Sequence, residues 1–205
     1  MAVSTDGVGA PPGRGRRAAG SGTRDRILDA ARAEFAERGY LAASVRAISR
    51  RAVVDPALVR HYFGVKSNLF AAANDIPAQP ERLIAAVLAA PPEQRGEHLV
   101  RSFLAIWDNP LGRQRMRALI ASLTTQPAEL DRFREFLLKE IFGRVVAASG
   151  GRDQELRASL VVSQMFGLVA VRFIFEAEPL VSSDVEDLVH WVGPTLQRYL
   201  DPPED

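Results

Sequence analysis

The chain has 205 residues and no cysteine, and 47% of its residues are hydrophobic against 25% charged. This length fits one medium domain or a small domain joined to a larger one, and the composition is that of a globular chain with a buried core. The lack of cysteine excludes disulfide frameworks, thiol nucleophiles and cysteine-ligated metal centres. The N-terminus lacks the apolar core of a signal peptide, and polar side chains interrupt the longest apolar stretch, 160–175, so we expect a cytoplasmic protein without a membrane span.

The net charge of +1 hides an uneven distribution. Residues 1–75 contain twelve Lys or Arg and seven Asp or Glu, a balance of +5, whereas the other 130 residues contain fourteen and eighteen, a balance of −4. A basic first third on a mildly acidic body indicates that one end of the chain meets a polyanion. The alternative is that this excess charge is ordinary solvated surface.

The first 22 residues are rich in Gly, Ala, Pro, Ser and Arg and have no apolar periodicity, which predicts a flexible basic arm. Its arginines are Arg14, Arg16 and Arg17. From Thr23 onward, apolar residues recur at a spacing of four, which predicts an amphipathic helix that Gly39 ends.

Two short helices are predicted next. Ser44 is suited to cap the first of them, and Asp55 followed by Pro56 marks the start of the second, which runs to about residue 62. Residues 52–55 then form a tight turn between two short helices, which is the spacing of a helix-turn-helix motif.

A fourth helix is expected over 66–74, and two prolines make 75–79 extended. We place the junction between domains there. The predicted organisation is a disordered basic arm over 1–22, a helix-turn-helix domain over 23–75, and a larger helical domain over 76–205.

Every segment beyond the junction is predicted to be helical, so the expected fold class is all-α. The expected helices cover 81–89, 93–107, 113–124, 127–148, 152–176 and 183–200. Ser183 with Glu186 predicts a capping box for the last of them, and Pro194 predicts a kink near His190. The last two helices are expected to form a dimer interface, because one is apolar on most of its circumference and the other is amphipathic.

Patterns for catalysis and metal binding are missing from the sequence. The three histidines, His61, His98 and His190, lie far apart, and none belongs to an HExxH motif. No GxSxG, GxxxxGK(S/T) or GxGxxG motif occurs. We therefore expect no enzymatic activity, no metal and no cofactor.

Nucleic-acid binding has more support. A recognition helix needs short contact residues at its N-terminal end and positive side chains beside them, and a helix N-terminus with a hydroxyl suits a phosphate. Arg60 lies one turn past Pro56 on the same face, where its guanidinium can reach a guanine edge or a phosphate. The predicted DNA contacts are Ser44, Arg46, Pro56, Ala57, Arg60, His61, Tyr62 and Lys66.

The stretch TRDRILDAARAEFAERGY, followed by ASVRAISRRAVVDPALVRHYFGVKSNLF, resembles the DNA-binding domain of the tetracycline-repressor (TetR) family of bacterial transcription regulators. The resemblance covers about residues 23–70. It implies a three-helix DNA-binding head, a larger helical body that binds ligand and dimerises, and repression that a small molecule relieves. It carries over the DNA contacts named above and matches Phe63 to a buried aromatic. The chain departs from the family with Val53 where Gly is usual in the turn, and with Arg60 where Tyr is usual.

A ligand cavity is predicted in the body, because aromatic and Met side chains recur on the inward faces of several helices and small-molecule sites are mostly apolar. The predicted lining is Phe103, Trp107, Met116, Leu119, Leu123, Phe133, Phe166 and Phe173, with Gln164 and Arg172 as polar anchors. Each of these residues alone is more often part of a plain core. Arg172 has two interpretations, a pair with Glu176 one turn on or a site for an anionic ligand.

Two functions remain open from the sequence. The first is a homodimeric regulator that binds a double-stranded, palindromic DNA operator and is released by an unidentified small-molecule effector. The second is a helical small-molecule-binding or scaffold protein whose basic head meets another acidic partner.

Overall fold

Residues 15–202 are described by a computed structural model, with side chains from residue 22 onward. They form eleven α-helices, one 3-10 turn and two π-helical turns. This part of the chain contains no β-strand, and the all-α fold class is confirmed.

Four helices form the head. They are α1 (Gly15–Ala42), α2 (Val45–Ala52), α3 (Pro56–Phe63) and α4 (Lys66–Ala73). The first begins eight residues before the predicted start at Thr23, so the end of the expected arm is helical. The rest of that arm, 1–14 with Arg14, lies outside the described residues, as do the side chains of Arg16 and Arg17.

Helix α1 is interrupted where the sequence predicts its end. Gly39 has a φ of 74° and a ψ of 173°, a conformation that is open to glycine and strained for other residues. Beyond this bend, Tyr40 turns into an aromatic cluster, with ring centroids 5.0 Å from Phe70 and 5.5 Å from Phe136. Because Phe136 belongs to the body, this cluster joins the two parts of the molecule.

Seven helices form the body. They are α5 (Pro80–Ala89), α6 (Arg95–Trp107), α7 (Pro110–Thr125), α8 (Pro127–Glu135), α9 (Phe142–Ala147), α10 (Gln154–Val169) and α11 (Val185–Leu200). All the expected body helices are present, and two of them contain a π-helical turn. Phe136–Ile141 connects α8 to α9, and Ala170–Ile174 follows α10.

Helices α6 and α11 pack closely. A Cβ at Gly96 would lie 2.3 Å from the carbonyl oxygen of Gly193, so only glycine permits this approach. The amide of Gly96 donates to the Gln197 side chain at 2.8 Å, and Arg101 donates to both carboxylate oxygens of Glu186 at 2.9 and 2.8 Å. This contact buries the apolar face of α11 inside the chain.

The predicted capping box of the last helix is wrong. The N-cap position belongs to Asp184, whose side chain makes no capping bond, and the hydroxyl of Ser183 donates to the carbonyl of Pro179 at 2.8 Å. Glu186 pairs with α6 instead, because α11 begins beside that helix. Helix α11 continues through Pro194, and the kink expected upstream of it stays a prediction.

The pairing of Arg172 with Glu176 is also wrong, because Arg172 pairs with a different carboxylate, and its role as an anchor for an anionic ligand stays a prediction. Its guanidinium is buried and donates to Asp108 at 2.6 Å, to the carbonyl of Ser183 at 3.0 Å and to the carbonyl of Leu180. The π turn places an extra residue in the helical turn, so the side chains that an α-helix aligns are rotated apart. Glu176 lies beyond that turn at a φ of 50° and pairs with a guanidinium of α7.

One helical run, Gln154–Ile174, is long and apolar enough to cross a membrane, with a mean hydropathy of 1.4. It carries two buried arginines, Arg157 and Arg172. Arg157 donates to the carbonyls of Gly150 at 2.6 Å and Tyr199 at 2.8 Å. A core helix of a globular protein has the same length and composition, and the internal bonds of both arginines fit that description.

Candidate nucleic-acid interface

Side-chain caps fix the starts of α2 and α3. The Ser44 hydroxyl accepts from the amide of Ala47 at 3.2 Å, and the Asp55 carboxylate accepts from the amide of Ala57 at 2.6 Å. Pro56 occupies the first position of α3, where no backbone donor is needed. An open groove of about 500 Å³ lies between the two helix starts.

The turn between α2 and α3 is held by Val53 in a left-handed conformation. Its φ is 54° and its ψ is 52°, and its side chain is 85% exposed. The amides of Val53 and Val54 donate to the carbonyls of Arg50 at 3.2 Å and Ser49 at 3.0 Å. The predicted tight turn is present, although a residue other than glycine costs about 1 to 2 kcal/mol in this conformation.

The predicted DNA contacts all lie at the surface of the head. The exposed ones are Ser44, Arg46, Ala57, Arg60 and His61, and the half-buried ones are Pro56, Tyr62 and Lys66. Phe63 is buried, as the resemblance implies, and the guanidinium of Arg24 lies 5.4 Å from its ring centroid.

Charge pairing separates the arginines of this surface into two kinds. Arg51 donates to Glu37 at 2.6 Å, and that hydrogen bond lowers the pKa of the Glu37 carboxyl. Among the side chains of residues 22–202, no carboxylate pairs with Arg46, Arg50 or Arg60. Arg50 was not predicted as a contact, although its spacing of four from Arg46 places both on one helix face.

Lys66 differs from the other predicted contacts. Its ammonium group donates to the carbonyls of Tyr40 at 2.9 Å, Leu41 at 3.3 Å and Ala43 at 3.3 Å, and lies 4.4 Å from the Tyr40 ring centroid. Burial lowers the pKa of Lys66. An ammonium group has three hydrogens, so its donors are already used. The structure thus contradicts a Lys66 free for phosphate, because α4 begins beneath the unpaired carbonyls after the bend of α1.

Two contacts hold the head against the body. Tyr40 is fully buried between the head and Phe136 of the first π turn, and this burial raises the pKa of its hydroxyl. Glu81 of α5 accepts from Arg144 of α9 at 3.0 Å and from Ser67 of α4 at 3.1 Å. These contacts tie the helix that follows α3 to the helices of the body.

The residues predicted to line a ligand cavity fall into three groups. A closed apolar cavity of about 40 Å³ is lined in part by Phe103, Trp107, Met116, Phe133 and Phe166. This volume is far below the roughly 300 to 1,000 Å³ of small-molecule pockets, so the cavity has no room for an effector as it stands. Leu119 and Leu123 line a different groove, between head and body. Gln164, Phe173 and Arg172 are not part of the cavity wall.

In the described part of the chain, no group of three or more His, Asp or Glu side chains is placed to hold a metal ion.

Two family models match the chain. One, described as "Bacterial regulatory proteins, tetR family", matches residues 27–73, and the other, described as "Tetracyclin repressor-like, C-terminal domain", matches residues 93–200, more than half of the chain. The HTH-type transcriptional repressor KstR of Mycobacterium tuberculosis is 31% identical over 150 residues, which cover 70% of this chain and 67% of that protein.

Solved structures of similar proteins include a TetR-family regulator from Streptomyces coelicolor A3. It is 34% identical, and the match covers 94% of this chain and 99% of that one with a TM-score of 0.45. The match to NalD, the secondary repressor of the MexAB-OprM multidrug efflux pump in Pseudomonas aeruginosa, is 18% identical and covers 90% of this chain and all of that one, with a TM-score of 0.45.

Proposed function

Because this chain belongs to the tetR family of bacterial transcription regulators, we propose that it is a homodimeric, cytoplasmic repressor that a small molecule releases from a palindromic operator. The chain is a helix-turn-helix transcription regulator similar to a repressor, and its family consists of regulators rather than enzymes. Family membership favours this function over a helical scaffold protein.

The unpaired guanidiniums of Arg46, Arg50 and Arg60 carry this proposal. Arg46 and Arg50 line the groove between the starts of α2 and α3, Arg60 lies in the last turn of α3, and no carboxylate of the described side chains pairs with any of the three. Arginines that neutralise phosphates release condensed counterions, and this release supplies much of the affinity for DNA. Without a polyanion to bind, leaving these arginines unpaired gives the protein no gain in free energy.

Helix α3 is the proposed recognition helix. Its exposed residues Ala57, Arg60 and His61 face the major groove, and Arg60 reads a guanine edge or holds the adjacent phosphate. Ser44 presents its hydroxyl and the amides of the α2 N-terminus to a phosphate, and Tyr62 contacts the backbone beside it. The role of Lys66 is to hold the bend of α1 in place, since its donors are occupied.

Helices α10 and α11 are the proposed dimer interface. Their outer surfaces carry Leu156 and Trp191, and Phe175 follows α10, with Trp191 76% and Phe175 73% exposed. Large exposed apolar side chains on two neighbouring helices mark an association surface. A two-fold dimer that spans successive major grooves holds its heads about 34 to 36 Å apart, which requires a palindromic site. Light scattering of the Trp191→Glu variant is expected to show monomers where the unaltered chain gives dimers.

Effector binding is proposed at the closed apolar cavity of the body, near Phe103, Trp107 and Phe166. Its volume of about 40 Å³ means that an effector has to open it. An effector changes operator affinity only through its different affinity for two states of the protein, and the opened body is the second state. Residues 75–79, between α4 and α5, are where this change reaches the head.

Operator binding is tested with fluorescence anisotropy on DNA from upstream of the gene. Arg60→Ala is expected to weaken binding by about 1 to 3 kcal/mol, at one base position if Arg60 reads a base and on all sequences if it holds a phosphate. Arg51→Ala is the matched control, because Glu37 already pairs with that arginine, and its effect is expected to stay below about 0.5 kcal/mol. Equal losses in both variants, or no loss in either, would refute the assignment.

A further inference from the structure

A groove between the head and the body is independent of the closed apolar cavity. It encloses about 570 Å³ and is lined by α1 and α4 on the head side and by α7 and α8 on the body side. Pockets for small molecules usually enclose about 300 to 1,000 Å³, so this groove already has the size that the closed cavity lacks.

Charged side chains line the groove. They are the guanidiniums of Arg32, Arg115 and Arg132 and the carboxylates of Asp75 and Glu129. Arg32 is already bonded, to the Asp29 carboxylate at 3.0 Å and to the Ala73 carbonyl at 2.8 Å. Arg132 lies 3.9 Å from Glu129, longer than the roughly 2.7 to 2.9 Å of a charge-assisted hydrogen bond, so this pair is loose.

Arg115 has no carboxylate partner at all among the described side chains. It stands where this groove meets a second one beneath the extended segment 75–79, and it lines both. Arg115 is therefore an unpaired guanidinium at the junction of the two domains, with the loosely paired Arg132 beside it.

The floor of the groove is apolar. Phe35 and Phe70 come from the head, and Leu119, Leu123 and Phe133 come from the body. A pocket with an apolar floor and one unpaired guanidinium at its rim suits a molecule with an apolar body and a single negative charge.

We propose that this groove binds a small amphipathic organic monoanion, with its carboxylate on Arg115 and Arg132 and its apolar body on Phe133 and Leu123. A neutral molecule leaves Arg115 unpaired, and Arg115 repels a cation. A dianion brings a second negative charge for which the groove has no unpaired guanidinium. The bound molecule contacts α1 of the head on one side and α7 and α8 of the body on the other. It therefore stabilises the position of the head in which it can contact both walls of the groove at once.

The consequence for DNA rests on the proposed function, but the binding site does not. Phe133 lines both this groove and the closed cavity, so a molecule in the groove also contacts the wall of that cavity. A monoanion bound here therefore shifts both the position of the head and the packing of the body.

The test uses the full chain without DNA and the fluorescent monoanion 8-anilinonaphthalene-1-sulfonate. Arg115→Gln removes the unpaired charge, and Ala118→Phe fills the groove without changing any charge. Each is expected to weaken dye binding about tenfold, the ratio that corresponds to one charge-assisted hydrogen bond or to loss of the apolar surface. Arg82→Gln is the control, because it removes the same charge from α5, outside the groove, and its dissociation constant is expected to stay within about twofold.

Competition identifies the chemistry of the site. Octanoate is expected to displace the dye, whereas octylamine, which has the same chain and the opposite charge, leaves it bound. Dye binding that is unchanged in both groove variants, or displacement by octylamine as effective as by octanoate, would overturn the proposal. Because the dye assay contains no DNA, its result is independent of operator binding. A chain that binds operator but not the dye contradicts only this site. A chain that binds the dye in the groove but no operator contradicts only the proposal that the protein is a repressor.

Discussion

Arginines of the head and of the body differ in exposure and in hydrogen bonding. Arg46 and Arg60 are exposed on the head and no described carboxylate pairs with them. Arg157 and Arg172 of the body are buried, and each donates to several carbonyls or to a carboxylate. An exposed guanidinium is hydrated at no cost, but a buried one has to be hydrogen-bonded, because an unpaired charge in the interior is strongly destabilising.

This difference separates binding from stability. Removing an exposed, unpaired arginine is expected to change the affinity for a partner and leave the free energy of unfolding within about 0.5 kcal/mol. Removing a buried, hydrogen-bonded arginine is expected to lower the free energy of unfolding and leave the affinity for a partner unchanged. Variants of both kinds of side chain test this separation.

Arg172→Met breaks the buried pair with Asp108 and leaves two carbonyls without a donor. We expect the free energy of unfolding in urea, at a fixed protein concentration, to fall by about 3 kcal/mol. This is the low end of the range for broken buried pairs, because Arg113 still contacts Asp108 at 3.1 Å. The operator affinity of the folded fraction is expected to be unchanged.

The double variant Arg172→Met with Asp108→Asn is the control, because it also removes the charge left behind. It is expected to be more stable than Arg172→Met alone. A loss below about 1 kcal/mol in the single variant would mean that this pair does not stabilise the body.

Lys66→Met tests a head residue whose bonds resemble those of the body arginines. It keeps the apolar stem and removes three hydrogen bonds to carbonyls, so we expect a loss of about 2 kcal/mol in the free energy of unfolding. The salt dependence of operator binding is expected to stay the same. Arg46→Met is the matched variant, with unchanged stability and a salt slope shallower by about 0.9, the value for one lost phosphate contact. The same shallower slope in Lys66→Met would restore its phosphate role.

Lys66 also shows which contacts can be predicted from the sequence and which cannot. The starts of α2 and α3 were predictable because Ser44, Asp55 and Pro56 act on backbone groups within three residues of themselves. The bonds of Lys66 reach carbonyls 23 to 26 residues earlier in the chain. Sequence patterns predict that a lysine lies on a helix, but they do not predict which groups another helix brings to it.

The body shows the same limit more strongly. Helical periodicity predicted its helices, but the pair of Arg172 with Asp108 joins residues 64 apart, and the π turn that separates Arg172 from Glu176 has no sequence signal. In the candidate sites, surface positions were predictable from helix faces. The size of the cavity and the unpaired Arg115 were not, because both depend on how separate helices pack.

Val53→Gly extends the comparison from charges to the backbone of the head. The side chain of Val53 is exposed and packs little, while its left-handed φ of 54° is strained. Relief of that strain outweighs the greater freedom of glycine in the unfolded chain, so we expect a gain of about 1 kcal/mol in the free energy of unfolding. Val53→Ala removes the branched side chain and keeps the strain, and it is expected to gain less than half as much. Equal gains would locate the effect in the side chain rather than in the backbone.

Glu81→Gln has the smallest expected effect, because the ion pair with Arg144 at the junction of head and body is partly exposed. The hydrogen bond from Arg144, helped by Ser67, holds the pKa of Glu81 below its usual 4.5. Glu81 thus binds a proton more readily in the unfolded chain than in the folded one. The stabilisation by its charged carboxylate is therefore present above the usual pKa of a glutamate, and it is lost as the pH falls through the lower pKa of Glu81 in the folded chain. With side chains 35% and 41% exposed, solvent reduces the contribution to about 0.2 to 1 kcal/mol. Urea unfolding should therefore show the unaltered chain more stable than Glu81→Gln at about pH 7, with a difference that shrinks as the pH falls below the usual pKa of 4.5 of a glutamate. A difference that persists in acid would mean that Glu81 stabilises the junction by packing, and that its charge contributes as little as an unpaired arginine of the head.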